Sequence, residues 1–229
     1  MMIRALDWDT DFFGFPVGTL DLNSQTLDEE KLRYEASSFR LVYVTSTKAQ
    51  NAVVLSYGDT KCVFGKTPLN PETEPAVIGV PEEKTAEAVR IGLQSGIYSR
   101  FALDPKFENN AFEKLYKKWV ERSVKNEIAY AAHTILNSGD LTSIITLNES
   151  GKQESSIGLF AVDSKYRGQG IGNKLLKSAE ALSFQRGDTQ LTVATQGKNK
   201  AACRVYEKFG FHLISETYIY NYWNDAFTV

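Results

Sequence analysis

Arg167-Gly168-Gln169-Gly170-Ile171-Gly172 is the stretch on which the reading of this chain turns. Its three glycines stand at alternate positions, after an apolar run over 157–162 and before a helical pattern over 173–184. Strand, glycine loop and helix start in succession aim bare backbone N–H groups at an anion. Glycine permits close approach, and the helix N-terminus adds partial positive charge. The stretch therefore predicts a held pyrophosphate. A P-loop needs G-x-x-x-x-G-K-[ST]; Gly65-Lys66-Thr67 supplies its end, but position 60 is Thr, so that match fails. A dinucleotide fingerprint needs G-x-G-x-x-G, whereas Gly168, Gly170 and Gly172 read G-x-G-x-G, and Asp188 stands at the start of the next strand rather than its end. For these six residues alone, a glycine turn with no ligand stays open.

Outward from the loop, the second half of the chain alternates in period. Phe112, Leu115, Tyr116 and Trp119 place an amphipathic helix over 111–125, with Trp119 in the core. Strands are expected over 129–135, 141–147 and 155–162, with turns at 137–140 and 148–151. After the loop helix come a short buried strand over 191–194, a helix over 199–209 stopped by Gly210, and a long strand over 211–223. The first half is less regular. A charged helix is expected over 28–37, a strand over 39–46, two strands over 52–56 and 61–64 around Gly58-Asp59, and a helix over 85–94. Pro68, Pro71, Pro75 and Pro81 exclude a regular helix over 65–84. These shifts place a boundary near residue 95, with a small α/β domain over 1–95 and a larger one over 96–229.

Of the 229 residues, 42% are hydrophobic and 24% charged, as in ordinary globular proteins. The net charge of −2 gives no electrostatic case for nucleic acid or an anionic membrane. Two cysteines, Cys62 and Cys203, make no metal cluster by themselves and suit a reducing compartment. The start, Met1-Met2-Ile3-Arg4-Ala5-Leu6-Asp7, lacks the apolar run of a secretory signal, and no apolar run reaches membrane-spanning length. A cytoplasmic protein is expected.

The loop resembles the R/Q-x-x-G-x-G/A signature of the GCN5-related N-acetyltransferase (GNAT) superfamily, with Arg167, Gly170 and Gly172 at the fixed positions. Asn199-Lys200-Ala201-Ala202-Cys203-Arg204-Val205-Tyr206-Glu207-Lys208-Phe209-Gly210-Phe211 resembles its second motif, N-x-x-A-x-x-x-Y-x-x-x-G-F. The likeness covers about residues 100–223. It implies the α/β acyl-CoA N-acyltransferase fold, a mixed, splayed central sheet with helices on both sides, here preceded by the smaller N-terminal α/β domain. It also implies acetyl-CoA as co-substrate, no metal, and an amine as acceptor. The patches Trp8-Asp9-Thr10-Asp11-Phe12-Phe13-Gly14, Ser99-Arg100-Phe101, Trp119-Val120-Glu121 and Val193-Ala194-Thr195-Gln196 resemble members that acetylate a dTDP-linked 4-amino-4,6-dideoxysugar for surface polysaccharide. A homodimer is an expectation from the same likeness.

Carried over residue by residue, the resemblance gives a site. The N–H groups of Arg167, Gly168, Gln169, Gly170, Ile171 and Gly172 would hold the CoA pyrophosphate. The backbone of Phe160, Ala161 and Val162 would pair with the pantetheine arm as an added strand does, and one N–H there would face the oxyanion. Asn199 would touch the pantetheine or diphosphate, and Ala202 would leave room for it. Tyr206 would be the general acid that protonates the departing thiolate. Many relatives carry a Glu base where Gly158 stands, so that base is missing, and a water chain is the alternative. His133 is a candidate relay or a structural histidine; His212 is expected to face solvent. Arg100 would meet the acceptor's diphosphate or be a surface arginine. The 8–13 aromatic cluster would wall the acceptor site or staple the small domain. Cys203 reads as a buried inert thiol. Two rival readings stand: an acetyltransferase for an antibiotic, polyamine or peptide N-terminus, and a non-catalytic acetyl-CoA sensor.

Overall fold

Acids at its head and a glycine at its tail delimit the first helix: Asp7 and Asp9 lie in its first turn, and Gly14 closes it with a φ of 75°. The computed structural model describes residues 2–70, 77–108 and 110–227. Pro71 and Pro75 lie outside the described residues. The early elements are β1 (Arg4–Ala5), α1 (Asp7–Phe13), β2 (Val17–Asp21), α2 (Glu29–Glu35), β3 (Leu41–Ser46), β4 (Ser56–Lys66), β5 (Ile78–Gly79), α3 (Thr85–Leu93), α4 (Arg100–Leu103) and α5 (Ala111–Val124). Then follow β6 (Ala131–Thr134), β7 (Leu136–Asn137), β8 (Asp140–Leu141), β9 (Ser143–Gly151), β10 (Glu154–Val162), α6 (Ile171–Gln185), β11 (Gln190–Gln196), α7 (Lys200–Phe209) and β12 (His212–Trp223).

The chain divides into two compact units. The first comprises Met1–Cys62, Gln196–Lys198 and Ser215–Val229. In it β1, β2, β3 and β12 lie side by side, with β2 parallel to β3 and β12 antiparallel to it. Leu41 to Val44 are all buried, as expected of a strand covered on both faces. Leu20, Leu22, Leu32, Val42, Val44, Tyr220 and Tyr222 share one core. The 8–13 aromatics form a ladder on α1: Trp8 stacks on Phe12 at 5.3 Å, and Phe12 meets Phe13 edge-on at 4.9 Å.

The second unit comprises Val63–Thr195 and Asn199–Ile214. Residues 63–70 and 77–95, which the sequence groups with an N-terminal domain, belong to it. The reason is packing: Ala88 and Ile91 of α3 bury against Val120 of α5 and against Ile144, Leu159 and Ala161 of the sheet. Strands β5, β6, β9, β10 and β11 are neighbours in that order. The sheet is mixed, since β10 runs antiparallel to β9 and parallel to β11. Helix α3 packs closely on α5 because residue 92 is glycine; a Cβ there would lie 2.7 Å from Val120 Cγ2. Gly92→Ala is expected to destabilise the protein by about 1–3 kcal/mol, read as a lower urea midpoint.

Three local expectations need correction. The segment with Gly58-Asp59 is not a turn between two strands; β4 runs unbroken through it, and both residues are buried. Residues 52–55 precede the strand rather than forming one. The second turn lies beyond 148–151, because β9 extends to Gly151 and the reversal falls at Lys152-Gln153, where Gln153 takes a φ of 57°.

Candidate active site

The glycine loop forms as a helix start with open space before it. Gly168 and Gly170 have φ of 79° and 77°, and a Cβ on either would meet nothing within 4 Å. Glycine is needed there for the left-handed backbone, not for close packing. Gly170 is the N-cap of α6, and the first bond back to it is Lys174 N–H to Gly170 C=O at 3.2 Å. The N–H groups of Ile171, Gly172 and Asn173 therefore precede the helical ladder, and no acid stands in the first turn. This end fits a diphosphate. Gly172 is glycine for another reason: its Cβ would lie 3.3 Å from Phe160 Cζ, so it lets α6 sit on β10. The side chain of Ile171 is buried, and Gln169 is exposed.

Arg167 acts as a brace. Its Nε donates to the Val162 carbonyl at 3.0 Å and its Nη2 to Gln94 Oε1 at 3.0 Å. Gln94 Oε1 also accepts the Ser164 N–H at 3.0 Å. Below them Asp163, only 1% exposed, accepts the Lys165 N–H at 3.1 Å and pairs with Arg90 Nη1 at 2.6 Å. Burial pushes this carboxyl up, but the Lys165 N–H and Arg90 outweigh it and hold it below the usual carboxylate range. A depressed carboxyl adds stability above its unfolded pKa and loses it as pH falls through the folded value. Arg90→Ala is expected to cost about 2 kcal/mol at pH 7, between an exposed and a buried pair, and the deficit should shrink in acid. Thermal unfolding of both proteins across pH checks this.

Beside the loop the sheet splays. Parallel pairing of β10 with β11 runs from Glu154↔Gln190 to Ile157↔Val193, whereas β10 continues to Val162. Asp163 donates its N–H to Thr142 on the β9 side at 2.8 Å. Strand alternation then turns the Ala161 N–H toward β9 and the Phe160 and Val162 N–H groups away from it, into the gap. Phe160 and Val162 thus present backbone to the gap, and Ala161 lies buried in the core on the α3 and α5 face.

Tyr206 reaches the same place from α7. Its ring lies 5.9 Å from Phe160, 5.8 Å from Phe64 and 6.0 Å from Phe211. Gly210, with φ of 96°, ends α7, and the Phe211 N–H donates to the Tyr206 carbonyl at 3.0 Å, which folds Phe211 back over Tyr206. Burial, with a smaller push from Cys203, raises the phenol well above its ordinary range, so it holds its proton. Asn199 Oδ1 caps α7 by accepting the Ala202 N–H at 3.2 Å. Ala202 is half-buried. So is Cys203, which the sequence reading expects to be buried. His133 Nδ1 meets Ser178 Oγ at 3.1 Å, and burial lowers its pKa. His212 is exposed. Arg100 lies on α4, between α3 and α5, its guanidinium 4.3 Å from the Phe101 ring centroid.

A sequence model of the acetyltransferase (GNAT) family matches residues 97–211. The chain belongs to the GNAT family. Acetyl-CoA is the co-substrate of GNAT enzymes. The dTDP-fucosamine acetyltransferase of Escherichia coli O6:H1 is 31% identical over 121 residues, 52% of this chain and 51% of that protein. The spore coat polysaccharide biosynthesis protein SpsD of Bacillus subtilis is 26% identical over 150 residues, 64% of this chain and 50% of that protein. This GNAT chain spans about half the length of those curated relatives. Among solved structures, a functionally unknown conserved protein from Staphylococcus epidermidis superposes with a TM-score of 0.60 at 11% identity, over 92% of this chain and 84% of that one. A GNAT protein from Kribbella flavida gives 0.56 at 12% identity, over 90% and 80%. The fold is the GNAT fold, a mixed sheet flanked by helices. Among the described residues no group of three or more His, Cys, Asp or Glu is placed to hold a metal ion. None of the described helices is long and apolar enough to cross a membrane.

Proposed function

We propose that this chain transfers an acetyl group from acetyl-CoA to the primary amine of a small acceptor, a dTDP-linked 4-amino-4,6-dideoxysugar. The observation that carries the transferase reading is the meeting of three features at one splay: the open N-terminus of α6, the Phe160 and Val162 N–H groups, and Tyr206 against Phe160. The N–H groups over 167–172 take the diphosphate. Phe160 and Val162 pair with the pantetheine arm, and one of their N–H groups steadies the acyl oxygen as it gains charge. Asn199 and Ala202 border the arm. The amine nitrogen attacks the thioester carbon, a C–N bond forms and the C–S bond breaks. Tyr206 gives its proton to the departing sulfur, and the proton lost by the nitrogen leaves through water.

The acceptor reading rests on likeness to the dTDP-fucosamine acetyltransferase of E. coli. Arg100 is the residue we assign to the acceptor's diphosphate. We place the protein in a reducing cytoplasm, where Cys62 and Cys203 stay as thiols. A second reading, acetylation of a peptide N-terminus, is favoured by likeness to N-alpha-acetyltransferase 30 of Xenopus laevis, 40% identical but over only 55 residues. A free-thiol assay with dTDP-4-amino-4,6-dideoxygalactose, spermidine and an N-terminal peptide separates them. Turnover should be highest on the nucleotide sugar; robust turnover of spermidine or the peptide with none on the sugar overturns the acceptor assignment.

A further inference from the structure

Two side chains on one face of β4 grip the helix that carries Tyr206. Phe64 and Lys66 stand two apart on the strand, so both point to the same side of the sheet. Phe64 is buried, and its ring lies 5.8 Å from that of Tyr206. Lys66 takes the end of α7. Its Nζ donates at 3.5 Å to the carbonyl of Phe209, the last residue of the helix. The same nitrogen stands 4.8 Å from the Phe209 ring centroid and 5.8 Å from that of Phe211. A Cβ on Gly210, between those two residues, would lie 3.8 Å from it. Glu180 of α6 holds the ammonium in turn at 2.6 Å, and its Oε1 also accepts the Leu69 N–H at 3.1 Å. Both side chains of the pair are only 11% exposed.

The last carbonyls of a helix lack partners and carry its negative end, so a cation is favoured there. Replacing so buried a pair by apolar side chains of similar size is often neutral for stability. What the pair adds is a fixed place. Phe211 lies 6.0 Å from the Tyr206 ring and donates its N–H to the Tyr206 carbonyl. Ring contacts with Phe64, Phe160 and Phe211 set where the phenol stands. Lys66 fixes one of those rings and the helix end one turn beyond Tyr206. A reacting group misplaced by about 1 Å loses much of its effect.

We propose that Lys66 is a positioning residue: with Glu180 it ties the end of α7 to α6 and so keeps Tyr206 in line with the departing sulfur. This rests on the general-acid reading of Tyr206 but not on the identity of the acceptor. The test uses the full chain and whichever of the three acceptors above the wild type acetylates fastest. Lys66→Met/Glu180→Gln removes both charges together, so neither is left buried alone, and it keeps an acceptor for the Leu69 N–H. Its kcat should fall at least fivefold, with the KM for acetyl-CoA and for the acceptor within twofold. Added to Tyr206→Phe, the same two changes should lower kcat less than twofold further. A wild-type kcat in the double variant overturns the proposal. So does a parallel rise in either KM, or a fall that recurs in full in the Tyr206→Phe background. If that protein does not fold, Lys66→Met/Glu180→Met is judged by the same three readings. A Tyr206→Phe protein with wild-type kcat removes the general acid and this role with it. A slow Tyr206→Phe protein beside a fast double variant removes this role alone.

Discussion

Tyr206→Phe should lower kcat by about 10²–10³-fold while acetyl-CoA binding stays within a factor of two. The ring stays in place in this variant, because its packing against Phe64, Phe160 and Phe211 needs no hydroxyl. What is lost is the proton for the leaving sulfur. Burial has raised the phenol above its ordinary range, so the wild type keeps this proton through neutral and mildly alkaline pH. The alkaline limb of the wild-type profile should therefore fall only near or beyond the ordinary phenol range. Stopped-flow kcat and acetyl-CoA titration of both proteins check the split. A kcat like that of the wild type removes Tyr206 from the chemistry.

Gly170→Val should weaken acetyl-CoA binding more than tenfold and leave the acceptor's own binding little changed. The residue holds a φ of 77°, where a β-branched side chain is strongly disfavoured. Relaxing it would turn the N-cap and swing the first N–H groups of α6 off the diphosphate. The same Cβ meets nothing within 4 Å, so the fold itself loses little beyond local strain. A Gly172→Val variant separates the two glycine roles. It strikes the Phe160 ring, 3.3 Å from its Cβ, and should lower stability as well as binding. Isothermal titration with acetyl-CoA, beside a melting curve, reads both effects; unchanged affinity in Gly170→Val would move the diphosphate elsewhere.

Much of this unit was legible because its signals are local. The glycines of the loop answer to backbone φ and to one close approach, and Tyr206 to Phe211 answers to a helix ended by Gly210. What the sequence hid is made of distant partners. Gln94 braces Arg167 from 73 residues away, and nothing in its own neighbourhood signals that. Arg90 and Asp163 are equally remote, as are the partners on which Ala88 and Ile91 of α3 pack in the second unit. Gly58-Asp59 looks like a turn by residue type, yet β4 buries both, and tertiary packing overrides the local preference. Asn148 lies within an expected turn, yet β9 continues through it and pairs it with Ser156 of β10.

A crystal structure of the protein with coenzyme A would locate the cofactor outright. The diphosphate is expected on the N–H groups between Gly168 and Asn173, the pantetheine along Phe160 and Val162, and the sulfur within hydrogen-bond reach of the Tyr206 hydroxyl. Coenzyme A bound away from the α6 N-terminus, or with its sulfur far from Tyr206, would contradict this placement.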